Sequence, residues 1–177
     1  QLDAQLRHEL FHLWIPNGVA LSGKYDWFYE GFALYSSLKL AVRSNTIRFD
    51  DMLDTMKVAI SAGGTTPLIE SAKQRFNGVE REMYSRGLRF AFLCDLTMNI
   101  ESKGKRDSDL IVRKLFQTYR LRSDRTDGNE AVVRLLNEYA ELRPLVQHYV
   151  FGDRSPAVMQ SNEIETVLEN AGLELSI

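Results

Sequence analysis

The chain has 177 residues, 44% of them hydrophobic, and a mean hydropathy of -0.26. That is enough to enclose a sizeable core, as one domain or as part of a larger protein. A formal net charge of -2 argues against a dedicated nucleic-acid binder, which needs a concentrated positive field.

Helical spacing of apolar residues runs almost throughout. Leu2, Leu6, Leu10 and Leu13 mark a first helix that Pro16 and Gly18 end. A turn-rich stretch, 16–26, leads into a helix expected from Trp27 to Arg43. Phe49, Met52, Leu53, Met56 and Ile60 stripe a third, where methionines at that spacing read as core. Gly63-Gly64-Thr65-Thr66-Pro67 breaks the chain and reads as a turn, since no Gly-Lys-Ser/Thr and no preceding strand accompany the glycine pair. A long helix is expected from Val79 to Ser102, then one capped by Asp107 or Ser108 that reaches Leu121.

The polar segment 122–129 reads as an exposed loop. Helical pattern returns over 130–141 and again over 144–151, with Pro144 suited to a first turn. A loop over 152–156 and a last helix opened by Ser161 or Asn162 and closed by Gly172 complete the chain. Alternating strands and internal repeats are absent, so the expected class is all-α. No apolar stretch is long enough to span a membrane and no signal-peptide pattern is present. The start at Gln1 rather than Met points to a fragment or processed piece and leaves the compartment open. Cys94, the only cysteine, excludes an intrachain disulfide and falls in the apolar run Phe90–Cys94, where it reads as a small core residue.

His8-Glu9-Leu10-Phe11-His12 is an HExxH pattern. Residues four apart on a helix share a face, so both imidazoles can reach one ion. The leucine stripe points elsewhere and is expected to anchor the helix to the core while the histidines face a cleft. A catalytic zinc takes three protein ligands and keeps one open position. Glu30, eighteen residues after His12, supplies the third if the second helix folds back beside the first. Glu9 projects between the two faces as a base for the water that attacks a carbonyl, and zinc would supply the Lewis acidity.

At these residues the chain resembles the glycyl-aminopeptidase-like family of gluzincin zinc metallopeptidases, and more distantly the broader gluzincin aminopeptidases. His8-Glu9-Leu10-Phe11-His12-Leu13-Trp14 resembles the family's zinc helix, and the Glu30-Gly31-Phe32 core of 27–35 resembles its third-ligand helix. The resemblance implies the helical lobe of a zincin-like catalytic domain over 1–177, one bound zinc, and peptide or protein substrates. Tyr84-Ser85-Arg86-Gly87 resembles the family's Tyr-x-Lys/Arg-Gly element. Carried over, Tyr84 is the phenol that hydrogen-bonds the oxyanion of the tetrahedral intermediate. Tyr149–Asp153 and Asn170–Leu173 are similar to phrases that close the family's catalytic domain.

Two departures stand out. Relatives commonly carry an acid seven residues after the third ligand, orienting a zinc-bound histidine; here Ser37 stands there, with weaker support or a backbone carbonyl as the alternative. Gluzincins also place a β-rich lobe before the zinc helix, binding substrate by strand addition, and often carry a PDZ domain. The resemblance therefore implies a β-lobe partner. His148 reads as a packed or capping histidine. Arg113, Lys114, Arg120, Arg122 and Arg125, interspersed with Asp107, Asp109, Asp124 and Asp127, read as a solvated mixed-charge face. The expected function is a zinc peptidase with ligands His8, His12 and Glu30, base Glu9 and electrophile Tyr84. The rival is a non-catalytic metal-binding helical domain acting as an interaction or structural module.

Overall fold

The computed structural model describes residues 2–62, 64–74, 78 and 80–155. These are mostly helical: α1 Leu2–His12, α2 Asp26–Arg43, α3 Phe49–Ser61, α4 Leu68–Lys73, α5 Glu80–Ser102, α6 Ser108–Tyr119 and α7 Gly128–Asn137. A composite helix follows, with a 3-10 turn Ala140–Leu142, α8 Arg143–Leu145 and a π turn Val146–Val150. The all-α expectation holds for these residues. The helix expected after Ser161, and the phrase at Asn170–Leu173, lie outside them.

Two helices form the middle of the molecule. Residues 86–95 of α5 are buried without interruption, and 27–33 of α2 are buried at every position but Tyr29. Both stretches are apolar around most of their girth, as burial on all sides requires, with Glu30, Arg86, Arg89 and Asp95 as buried charged exceptions. They cross with no side chain between them. A Cβ on Gly31 would come within 2.4 Å of the Gly87 carbonyl carbon, and a Cβ on Gly87 within 2.7 Å of the Trp27 carbonyl oxygen. Trp27, Phe28, Phe32, Phe90 and Tyr149 pack around this crossing, with the Trp27 and Phe90 rings 5.8 Å apart.

Polar groups tie the outer helices to this pair. Asp95 of α5, buried, accepts from Tyr35 Oη (3.0 Å), Lys39 Nζ (2.8 Å), the Ser108 amide (2.8 Å) and Asn99 Nδ2 (3.3 Å). Lys39 also reaches Asp107 and Asp109, and Arg43 pairs with the same two acids. Burial disfavours charge on Asp107, but Lys39 and Arg43 outweigh it and hold its carboxyl below the usual range. Asp107 and Asp109 thus serve α2 rather than a solvated face, because the start of α6 docks on α2. Asp107 also caps α6, its side chain accepting from the Asp109 amide, and Asp127 caps α7 by accepting from the Glu130 amide.

Several boundaries differ from expectation. The helix after Asp107 stops at Tyr119, and the next begins at Gly128 and ends at Asn137, because the Asp127 cap comes earlier than the apolar pattern. The segment 122–129 is not only a loop: Thr126 and Asp127 pair in parallel with Leu21 and Ser22. No alternation could announce a bridge of two residues. Residues 68–73, unassigned in the sequence, form α4 after Pro67.

The largest correction concerns α1. Leu2, Leu6, Leu10 and Leu13 are 51–81% exposed and do not anchor the helix to the core. Its inward face is made by Arg7, His8, Phe11 and His12, all half-buried. At about 100° per residue the histidines and leucines point roughly opposite ways. Turning the histidines towards a buried Glu30 therefore turns the leucines out.

Candidate metal centre

His8 and His12 occupy successive turns of α1, and their rings meet edge-on with centroids 4.5 Å apart. Glu30 lies in the second turn of α2, 6% exposed. Its depth follows from the Gly31–Gly87 contact, which draws this end of α2 against α5. Ser37, further along α2, donates to the Ala4 carbonyl at 3.1 Å and holds α1 alongside.

Three lone-pair-bearing atoms converge between these helices. His8 Nε2 and His12 Nε2 are 2.9 Å apart, and Glu30 Oε2 lies 3.1 Å from the first and 3.5 Å from the second. Ligands on a tetrahedral zinc, with bonds of about 2.0–2.1 Å, stand roughly 3.4 Å from one another. The observed triangle brackets that edge. His8, His12 and Glu30 form the group of potential metal ligands found among the described residues, and two imidazoles with one carboxylate suit zinc.

The tautomers fit as well. His12 Nδ1 is 3.1 Å from the Ile15 carbonyl oxygen, which can only accept. Nδ1 therefore carries the proton, and in the neutral ring Nε2 offers its lone pair to the centre. This backbone carbonyl does for His12 what an acid would do. The hydrogen bond from His12 to Glu30 raises the imidazole's pKa above its ordinary value, against the effect of burial and with help from Ile15 and the Glu9 charge. A proton and a divalent cation thus compete for one position. His8 differs: its Nδ1 is buried and has no hydrogen-bond partner, and Ser37 is committed to Ala4.

Glu9 is exposed on α1, close enough for its charge to act on His12. Tyr84, half-buried on α5, lies one turn before Gly87, whose backbone meets Gly31 beside Glu30. The Tyr29 ring stands edge-on to His12 with centroids 5.6 Å apart; it walls the centre, and its place next to Glu30 is the signal that could have marked it. His148 is a capping histidine, its Nδ1 donating to the Asp153 carbonyl at 3.1 Å. Cys94 is fully buried, and burial pushes its thiol pKa far up. Comparisons with protein-family models, curated proteins and solved structures each find no match.

Proposed function

We propose that this chain is the helical part of a zinc-dependent, aminopeptidase-like peptidase active site. The observation that carries the reading is the triangle of His8 Nε2, His12 Nε2 and Glu30 Oε2, with edges of 2.9–3.5 Å. Bound zinc would supply the Lewis acidity that favours loss of a proton from water near neutral pH. His8, His12 and Glu30 hold the ion. Glu9, exposed on α1 one residue from His8, takes the proton of the attacking water and passes it to the leaving amine. Tyr84 donates its phenolic proton as a hydrogen bond to the oxygen that becomes negative as the carbonyl carbon turns tetrahedral. A β-rich lobe supplies the strand that holds a peptide or protein substrate, and the outward leucines of α1 are the face we assign to it.

Those leucines also favour a second reading, a metal-holding module that docks partners without turnover. One experiment separates the two. Metal content and peptidase activity are measured on the full-length protein and on Glu9→Gln. The peptidase reading expects one zinc per chain in both, with activity only in the parent and a loss of at least about 10²-fold on substitution. Zinc without activity in either protein supports the docking module. Absence of stoichiometric zinc sinks both.

A further inference from the structure

A second charged cluster lies away from the metal centre, on another face of α5. Arg86 and Arg89, with His148, Arg154, Gly64 and Thr65, line a cavity of about 290 Å³. Arg86 is 4% exposed and Arg89 8%, a burial that guanidinium groups rarely reach without a counter-charge. Arg86 donates to the Gly64 carbonyl, and Arg89 donates to the carbonyls of Ala59 and Ile60 at the end of α3. Carbonyl dipoles satisfy some of the donors but carry no net charge. The Nε of each arginine is buried with no hydrogen-bond partner.

Among the described residues, no carboxylate lies within salt-bridge distance of Arg86, Arg89 or Arg154. The charge of Glu82 acts on Arg86, but its carboxylate packs against Gly64 and accepts from the Thr66 amide, 3.0 Å away. The Tyr149 ring lies 5.5 Å from the Arg86 guanidinium. Gly152 packs against Pro67 and sets the loop bearing Arg154 at the rim. Burial, with the neighbouring arginines, lowers the pKa of Arg86 and of His148.

We propose that this cavity binds the phosphoryl group of a small ligand, held by Arg86, Arg89 and Arg154. Three guanidinium groups with no carboxylate in salt-bridge distance among the described residues favour a dianion over a monocarboxylate, because each added negative charge is attracted by all three. Guanidinium forks match phosphate oxygens two at a time, which suits the arginines that line the cavity. The cavity exceeds a bare phosphate, leaving space for an organic remainder. On an α-helix, residues two apart diverge by about 200°, so Arg86 points away from Tyr84. The site is independent of the metal reading.

The test is calorimetric titration of the full chain, in chloride buffer at constant ionic strength, with inorganic phosphate, glycerol phosphate and acetate. Saturable binding of one phosphate per chain is expected, at least tenfold tighter than acetate. Arg154→Gln, on the exposed rim and harmless to the core, and Arg89→Gln are each expected to weaken it at least tenfold. Tighter binding of glycerol phosphate than of phosphate assigns the remaining space to an organic moiety, and equal binding confines recognition to the phosphoryl group. The proposal is overturned if the folded protein shows no saturable phosphate binding, if acetate binds as well, or if Arg154→Gln leaves phosphate affinity unchanged.

Discussion

Gly31 and Gly87 touch backbone to backbone where α2 crosses α5, and this contact sets the depth of Glu30, the residue before Gly31 on α2. A methyl group on Gly31 has only the Gly87 main chain to push against. Gly31→Ala is expected to destabilise the fold by at least about 1–3 kcal/mol, the range for overpacking a core. It should also weaken zinc binding, since the carboxylate moves with the helix. Urea denaturation and zinc titration check this; unchanged values in both would show that the crossing has slack.

The proposed metal centre should depend on Glu30 more than on any supporting contact. Glu30→Gln keeps the shape but removes the negative charge that complements a divalent cation. Zinc affinity should fall by more than the roughly 10–100-fold typical of losing a support to a ligand. Competition titration with a chromophoric chelator measures it.

His8 Nδ1 is buried and unpartnered, while Ser37 donates to Ala4 instead. Ser37→Glu places a carboxylate on the face of α2 that holds α1, to offer Nδ1 an acceptor. The expected result is tighter zinc binding, by up to about 10–100-fold, with some loss of metal-free stability as the Ala4 contact is given up. A zinc affinity at or below the parent's would place the supporting group elsewhere.

Asp95 gathers Tyr35, Lys39, Asn99 and Ser108 around one buried carboxylate. Removing it strands the Lys39 charge from its most buried partner. Asp95→Ala is expected to cost about 3–5 kcal/mol, the range for breaking a buried pair from one side, in denaturant melts of the metal-free protein.

His148 makes stability depend on pH. Burial, then the charges of Arg86, Arg154 and Arg89, lower its folded pKa below the ordinary 6.5, against a hydrogen bond to Asp153. As pH falls, the unfolded chain takes up this proton first, so its uptake favours unfolding. The contribution to stability is whole above pH 6.5 and is lost as pH falls from there through the folded value. His148→Gln should flatten that part of the pH–stability curve, while Asp and Glu titrations at lower pH remain.

Helix order, the Asp107 cap and the burial of Cys94 were legible because each depends on local spacing or on a short apolar run. The histidine pair was legible for the same reason: four residues on a helix bring two rings to one face whatever surrounds them. Arg86 reads from sequence only as part of the Tyr84–Gly87 element and Arg89 carries no reading, although two charges three apart just before the apolar run Phe90–Cys94 are a visible signal. Their isolation from acids depends on residues near 64, 148 and 154 in the chain, and no local pattern joins these.

The sequence by itself determined which side chains could hold a metal ion and that they lie on helices. The tertiary structure decided which way those helices face. Periodicity defines an apolar stripe but not whether it turns inward, and in α1 the leucines lost to the histidines. Bringing two imidazoles beside a buried carboxylate, where Gly31 and Gly87 let two helices meet without side chains, left the rest of that helix pointing to solvent.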